Sequence, residues 1–244
     1  NWQWESFPEY LDALESFPRA IDVATQVPHG AIRAYVMGER CNSDYAPTKE
    51  EVNQMAELVR EGVEAGALGF SSSKTLLHKD IKGEYMPGTF SGNEEMLALG
   101  LGMKGLNNSV FELVSDHLGE DEEWQWVKDF QKQTGLTVTL IATTAPAYKN
   151  NKMYNLAEQA RIEGYEIRPQ AAGRPTGVLH GLQSSFHVFV GHPTWRRELA
   201  SLNHKELVAR LRDPATKKKI LSEETTIKNE LLQDIPSLMA QVFP

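Results

Sequence analysis

The stretch "TKEEVNQMAELVREGVEAGALGF", Thr48–Phe70, decides the fold. Thr48 followed three residues later by Glu51 is typical of a capping box, which begins a helix. Gly66 is typical of a helix end, and the apolar residues before it recur at helical spacing, at Val52, Met55, Leu58, Val59 and Val63. The next four residues, Ala67–Phe70, predict a short buried strand. The stretch therefore predicts a helix, a turn and a strand in direct succession.

The same succession recurs along the chain. Helical patterns that end at glycine cover Asp121–Gly135 and Lys152–Gly164. The predicted strands are Ala20–Val27, Ala67–Phe70, Ser109–Ser115, Leu136–Thr143 and Tyr165–Ala171. Strands that alternate with amphipathic helices predict a parallel sheet and the α/β class. A complete (β/α)8 TIM barrel has eight such units in roughly 250 residues, so five units with long loops do not fit a closed barrel.

Composition narrows the classes of partner. A formal net charge of −8 argues against nucleic-acid binding, which needs clustered lysine and arginine. Every apolar run is shorter than the roughly 18 residues that a membrane span needs, so no membrane is expected as a partner. A lone cysteine, Cys41, excludes an intramolecular disulfide and favours a reducing, cytoplasmic location. The chain begins at Asn1 rather than methionine, which suggests a processed product or a piece of a longer protein.

Functional groups of parallel α/β sheets lie on the loops after the carboxyl ends of strands. The first such loop carries His29 and Arg33, which we expect to contact a substrate. His29 is also a candidate metal ligand, and the alternative is a hydrogen-bonded loop histidine. The second loop opens with Ser71, Ser72 and Ser73, whose backbone N–H groups are expected to bind an anion. A serine nucleophile would need a base, and no G-x-S-x-G motif is present.

Later loops supply the remaining candidates. His78 follows the three serines and either touches the substrate or faces solvent. Asp116 and His117 follow the third strand and are the predicted catalytic residues, with His117 a second candidate metal ligand. The alternative is that Asp116 caps the following turn while His117 is exposed among acidic residues. Arg174 and His180, after the fifth strand, are further candidates for substrate binding.

Four phrases together resemble one protein family. They are "NWQWESFPEYLDALE", "IDVATQVPHGAIRAYVMG", the run from Thr48 through "GFSSSKTLLHKDIKGEYMPGTFSGNEEMLAL", and "PQAAGRPTGVLHGL". They are similar to the D-aminoacylase/N-acyl-D-amino-acid deacylase branch of the amidohydrolase superfamily, from about Asn1 to Leu221. The resemblance implies a metal-dependent hydrolase barrel, with zinc as the expected divalent metal, that deacylates N-acyl amino acids. A zinc-activated water attacks the amide in that family while a carboxylate shuttles the proton.

The chain also departs from the family pattern. The resemblance implies that an H-x-H motif lies before Asn1 and a late catalytic aspartate beyond Pro244. Residues 1–221 are therefore expected to be the central part of an amidohydrolase barrel, an incomplete (β/α)8 barrel, followed by a helical tail at 222–244. The chain is expected to be inactive by itself; the divalent metal is expected in the full-length protein, and this chain either contributes to its site or holds none. The family places histidines at the ends of the third and fourth strands, where this chain reads "ELVS" and "IATT". A catalytically silent barrel that binds a small amide or carboxylate is therefore the alternative. A partial barrel exposes sheet edges, so association into a homo-oligomer is a further alternative.

Overall fold

The computed structural model contains one sheet of five parallel strands. The strands are β1 Val27–Pro28, β2 Gly69–Lys74, β3 Val110–Ser115, β4 Thr137–Ile141 and β5 Ile167–Gln170. Their order in the sheet is their order in the chain. The helices of the same part of the chain are α1 Phe7–Glu15, α2 His29–Met37, α3 Lys49–Glu64, α4 Asn93–Gly102, α5 Asp121–Thr134 and α6 Lys152–Ile162, with a 3-10 turn at Gly38–Cys41.

The structure describes residues 3–42, 45–80, 82–106, 109–142, 152–171, 173, 181–184 and 187–227. Two of the predicted substrate-binding residues, Arg174 and His180, lie outside these described residues. Within the described part of the chain, no helix is both long enough and apolar enough to cross a membrane.

The helices pack on one face of the sheet. Register partners on that face are Phe70 of β2, Phe111 of β3, Val138 of β4 and Ile167 of β5, and all four are buried. They pack in one core with apolar side chains of the helices, among them Ile32, Met55, Val59, Met96, Leu99, Val127, Phe130, Ala157 and Ala160. A doubly wound sheet would reverse its strand order and carry helices on both faces. Parallel strands in sequential order, covered by a single layer of helices, form the wall of a barrel, and this confirms the predicted fold class.

The local signals at the helix ends are confirmed. The Thr48 hydroxyl accepts a hydrogen bond from the Glu51 backbone N–H, and the Glu51 carboxylate accepts one from the Thr48 N–H at 2.7 Å. Helix α5 ends at Gly135, whose φ of 75° lies in the left-handed region that glycine tolerates. The cap at Thr48 therefore fixes where the connection from the carboxyl end of β1 to α3 ends, and Gly135 fixes where the turn from α5 into β4 begins.

Two predictions around the first strand are wrong. Of the predicted strand Ala20–Val27, only Val27 pairs in the sheet, because Ile21 and Val23 are 76% and 50% exposed and gain no burial there. The predicted loop after this strand is helix α2. Its residues Ile32, Arg33 and Met37 are buried, and this helical spacing explains why the segment folds as a helix.

The predicted boundary of the second strand is also wrong. β2 continues past Phe70 through Ser71, Ser72 and Ser73 to Lys74 and pairs along its whole length with β3. The three serines therefore belong to the ladder, and their backbone groups do not form an anion-binding loop. Any contact of these residues with a ligand is through their side chains.

The chain divides into two compact units. The first is Asn1–Ala142 with Asn151–Ala171, and the second is Thr143–Asn150 with Ala172–Pro244. The second unit contains a π-helical turn at Trp195–Leu199 and helices α7 His204–Arg212 and α8 Pro214–Leu221. Its small core is Trp195, Leu199, Leu207 and Ile220. Residues 222–227 carry no helix, and the rest of the predicted tail at 222–244 lies outside the described residues.

Candidate functional site

The face of the sheet opposite the helices is polar at mid-strand. Successive side chains of a strand point to opposite faces, so the register partners of Ser71 face away from the helices together with it. We call this the polar face; its polar residues are Ser71, Ser73, Glu112, Thr139, Arg168 and Gln170, and Val114 and Ile141 lie on it nearer the strand ends. The Thr139 hydroxyl is buried and has no hydrogen-bond partner among the described residues. A barrel wall with this polar face can line a site for a hydrogen-bonding ligand.

Ser73 forms a hydrogen bond with His78 at the carboxyl end of β2. The Ser73 Oγ lies 2.7 Å from the His78 Nδ1. Ser73 is half-buried and His78 is exposed. Sequence reasoning placed both residues in one substrate-binding loop, whereas the structure joins a strand residue to a loop residue. This pair is the clearest polar arrangement on the polar face.

Asp116 fixes the segment that carries His78. One carboxylate oxygen of Asp116 accepts a hydrogen bond from the buried Thr75 hydroxyl at 2.8 Å, and the other accepts one from the Leu76 N–H at 2.9 Å. Asp116 therefore ties the end of β3 to the start of the loop at residues 75–92, which we call the β2–α4 loop. It does not cap the turn that follows it, which was the alternative prediction for this residue.

The β2–α4 loop is further ordered by its own contacts. Asp80 accepts hydrogen bonds from the backbone N–H groups of Lys82 and Glu84, at 2.8 and 2.9 Å. The Met86 N–H donates to the carbonyl of His78, and Lys79 pairs with Tyr85 in an antiparallel bridge. The loop thus forms a small hairpin that holds His78 beside β2.

His117, the second predicted catalytic residue, lies on the surface. Its Nδ1 is 2.8 Å from the Glu120 carboxylate, and its side chain is 56% exposed. The structure thus has the exposed histidine among acidic residues that the alternative interpretation expected. Its predicted catalytic role stays a prediction.

A buried cluster lies beneath the β2–α4 loop and is formed by His29, Arg33, Ser72 and Glu95. The His29 Nδ1 lies 2.9 Å from the Ser72 Oγ, and its Nε2 lies 2.9 Å from a Glu95 carboxylate oxygen. The Arg33 Nη1 donates to both oxygens of Glu95 at 2.5 Å. His29 and Arg33 are each 1% exposed and Glu95 is 4% exposed. We call this the buried cluster.

Arg33 and Glu95 are both satisfied within the cluster. Arg33 also donates from Nε to the Cys41 carbonyl at 3.0 Å and from Nη2 to the Tyr45 carbonyl. Burial raises the pKa of Glu95, but the hydrogen bonds and charges of His29 and Arg33 outweigh burial, so its pKa lies below the ordinary value. Glu95 is therefore ionised and holds the two basic side chains in place.

Glu95 was not among the predicted site residues. It is the third residue of α4, where a carboxylate also favours the helix N-terminus. The available signal was its position one turn before the buried Leu99, which puts a charged residue on the apolar side of the helix. Sequence reasoning gives the helix but not the partners that neutralise this charge, because they lie 62 and 66 residues away along the chain.

The described side chains do not fit the metal that the resemblance implies. Both ring nitrogens of His29 are engaged, with Ser72 and Glu95. Across the part of the chain that the structure describes, no three His, Cys, Asp or Glu side chains converge as a metal-binding group. His29 is thus a member of a hydrogen-bonded cluster and not a metal ligand in this arrangement.

Two histidines of the second unit pack in its interior. The His187 ring contacts the Trp195 ring at a centroid distance of 4.1 Å, and both residues are buried. Burial lowers the pKa of His192, and this outweighs the opposing effects of Glu223 and the Phe189 backbone. Both histidines therefore contribute to the packing of this unit.

Comparisons with known proteins give one family. Residues 1–221 match the amidohydrolase family. D-aminoacylase of Alcaligenes xylosoxydans xylosoxydans is 38% identical over 72 residues, which are 30% of this chain and 14% of that protein. Uncharacterized proteins of Mycobacterium bovis and Mycobacterium tuberculosis are 31% identical over 97 residues, which are 37% of this chain and 16% of theirs. The chain thus aligns with less than a fifth of the length of these relatives. No solved structure matches it.

Proposed function

The chain belongs to the amidohydrolase family, and on that premise we propose that it is part of a hydrolase that cleaves a linear amide bond. The finer proposal is that the substrate is an N-acyl amino acid, which is hydrolysed to a carboxylic acid and a free amino acid. The similarity to a D-aminoacylase over part of the chain supports this substrate class.

The proposed substrate site lies at the carboxyl end of the strands, on the polar face. The observation that carries this proposal is the Ser73–His78 hydrogen bond at the end of β2, in a sheet built as a barrel wall. Enzymes with barrel folds place their active sites at this end. Ser73 and His78 would contact the scissile amide. The substrate-binding roles predicted from the sequence for Arg174 and His180, which lie outside the described residues, stay predictions.

The other predicted residues receive supporting roles in this proposal. Asp116 positions His78 through its hydrogen bonds to the β2–α4 loop. His29 and Arg33 are buried and support that loop from below rather than touching the substrate. A divalent metal, with zinc as the first candidate, remains part of the proposal for the longer protein. The described side chains form no ligand set for it, so the contribution of these residues is through hydrogen bonds and charge.

A second candidate function is a catalytically silent barrel that binds a small amide or carboxylate. It is favoured by the engagement of both His29 nitrogens within the protein. Under this alternative the Ser73–His78 pair would bind the ligand as a hydrogen-bond donor and acceptor without turnover.

The full-length protein that contains this chain should be purified and assayed against a panel of N-acetyl-D- and N-acetyl-L-amino acids by release of free amine, with ligand binding measured by calorimetry. We expect turnover, and we expect His78→Gln to reduce it by about 100-fold, the contribution typical of a proton-transferring side chain. His204→Gln is the matched histidine control and should leave turnover unchanged, because His204 is an exposed histidine of α7 that has no role in the proposal. Binding without turnover would support the silent barrel, and neither binding nor turnover would contradict both functions.

A further inference from the structure

We propose that Glu112 binds an ammonium group of the substrate, so that the protein prefers N-acyl amino acids with a lysine-like side chain. The inference rests on the proposed function for the location of the scissile amide. It concerns recognition of the substrate and assigns no step of the hydrolysis. The residues that carry it are register partners on the polar face, namely Ser71 of β2, Glu112 of β3 and Thr139 of β4. We call these three residues the acceptor row.

The Glu112 carboxylate has no counter-charge among the described residues. It forms no hydrogen bond or ion pair with any of them, and Arg168, two strands away on the same face, is paired with Glu166 at 2.8 Å. Lys74 is on the helical side of β2 by alternation and pairs with Glu123. A carboxylate inside a barrel is costly unless a cation or hydrogen-bond donors compensate its charge. The polar face therefore has one negative charge that a cationic ligand can neutralise.

Two hydroxyl groups flank this carboxylate. Neighbouring strands of a sheet are about 4.8 Å apart, so Ser71 and Thr139 stand on either side of Glu112. Thr139 is 8% exposed, and its buried hydroxyl has no hydrogen-bond partner among the described residues. An unpartnered buried hydroxyl costs stability. Its position beside an uncompensated carboxylate points to a ligand that supplies the missing hydrogen bond.

The chemistry of the acceptor row suits a primary ammonium group. An ammonium group has three N–H donors and no acceptor, and the row presents a carboxylate and two hydroxyl oxygens from three adjacent strands. A guanidinium donates through a planar fork that matches the two oxygens of one carboxylate, which leaves the hydroxyls unused. An acidic ligand would be repelled by Glu112. The row therefore selects for an amine in its protonated form.

The depth of the row matches the length of a lysine side chain. Ser71 precedes Ser73, the proposed contact of the scissile amide, by two residues on the same face of β2, which is about 7 Å along the strand. The four-carbon stem of lysine places its ammonium group a similar distance, about 6 Å, from its Cα. An N-acyl lysine whose amide lies at Ser73 would therefore bring its ammonium group to Glu112.

The first test compares Nα-acetyllysine with Nα-acetylnorleucine, as both enantiomers, on the full-length protein that contains this chain. Norleucine has the same four-carbon stem and no ammonium group. We expect kcat/KM to be about 10- to 100-fold higher for the lysine substrate, the value of a hydrogen bond to a charged group. The difference should be mainly in KM, because the contact is remote from the scissile bond. Glu112→Gln should reduce the ratio to about one. Glu122→Gln removes an exposed carboxylate of α5 and should leave the ratio unchanged.

Thr139→Val separates ligand binding from folding. Valine has nearly the shape of threonine but lacks the hydroxyl, which has no partner to lose among the described residues. The variant should melt at or above the temperature of the parent, while the preference for lysine over norleucine falls by about 5-fold, the equivalent of one hydrogen bond. A purely structural role of Thr139 predicts the opposite pattern, a lower melting temperature with an unchanged preference, and that pattern would count against the acceptor row.

Binding of n-butylammonium, measured by calorimetry with n-butanol as the uncharged control, tests the row without any turnover. Binding that is lost in Glu112→Gln would support the row even if no N-acyl amino acid is hydrolysed, and that result would contradict the proposed function alone. Equal kcat/KM for the lysine and norleucine substrates, or a parent protein that does not bind n-butylammonium, would overturn the inference alone. A Glu112→Gln variant that melts lower but keeps the lysine preference would also overturn it, because another part of the protein would then neutralise Glu112.

Discussion

Replacement of Glu95 by glutamine tests whether the buried cluster holds the first unit together. Glu95 is the carboxylate that neutralises Arg33 and accepts a hydrogen bond from His29. Glutamine has nearly the same shape but no charge, and one of its two terminal atoms is a donor. Glu95→Gln therefore leaves the Arg33 guanidinium buried without a counter-charge and sets a donor against a donor.

The expected loss follows from the burial of the pair. Loss of one partner of a buried ion pair costs about 3–5 kcal/mol of unfolding free energy, because the other charge stays buried and uncompensated. For a chain of this size each kcal/mol lowers the melting temperature by about 2–4 °C, so the expected decrease is about 6–20 °C. Glu94 provides the matched control, since it precedes Glu95 in the same helical turn and is exposed. Glu94→Gln should cost at most about 1 kcal/mol, the usual value of a carboxylate at a helix N-terminus.

The assay is thermal and urea unfolding followed by circular dichroism, with hydrogen exchange of α4 and β2 to assign the transition to the first unit. The double variant Arg33→Met/Glu95→Leu adds a second criterion. It removes both charges and leaves the His29 N–H without an acceptor. The Cys41 and Tyr45 carbonyls lose their Arg33 donor, but these two residues are not buried and water can replace it, so the double variant should lose about 1–3 kcal/mol, less than Glu95→Gln alone. If Glu95→Gln melts within the range of Glu94→Gln, or if the double variant is the less stable of the two, the charge argument is wrong.

Three further predictions follow from individual contacts. The pKa of Glu95 is lowered in the folded state, so ionised Glu95 contributes to stability above its ordinary pKa of 4.5. This contribution is lost as the pH falls through the pKa of the folded state. The difference in unfolding free energy between the parent and Glu95→Gln should therefore narrow when the pH is lowered below 4.5. Gly88→Ala should destabilise the protein more than Gly83→Ala in urea unfolding. Both glycines have positive φ (91° and 84°), but only a Cβ at residue 88 would meet the His29 ring. Equal losses of unfolding free energy would mean that backbone strain alone matters. Asp116→Asn replaces one of the two carboxylate oxygens that accept hydrogen bonds from the β2–α4 loop. Amide hydrogen exchange at Leu76 should accelerate by about 5- to 10-fold, the equivalent of one hydrogen bond. An unchanged exchange rate would mean that other contacts hold the loop.

Patterns within one element could be predicted because their causes are local. The capping box of α3 needs only Thr48 and Glu51, three residues apart, and the end of α5 needs only a glycine that accepts positive φ. β3 was predicted within one residue of its observed start, because "VFELVS" alternates as a half-buried strand does. The family phrases then joined these elements into a barrel wall, which the order of the sheet confirms.

Contacts between distant segments could not be predicted from local patterns. A run of three serines and a lysine has weak strand propensity, so β2 was predicted to end at Phe70. The neighbouring strand β3 pairs with it for six residues and extends it to Lys74, which is tertiary context overriding local propensity. The partners in the buried cluster depend in the same way on how β1, β2 and α4 meet. No spacing rule relates His29 to a carboxylate 66 residues later.

The extent of β2 is what separates the roles of the three serines. In a loop, Ser71, Ser72 and Ser73 would be equivalent candidates for anion binding, as their identical side chains suggested. In a strand, alternation sends Ser72 to the helical side, where His29 and Glu95 bury it, and sends Ser71 and Ser73 to the polar face. Only Ser73 is then close enough to the strand's end to meet His78. A shift of the pairing register by one residue would exchange these faces, so the substrate contact proposed for Ser73 depends on the β2–β3 register more than on any single side chain.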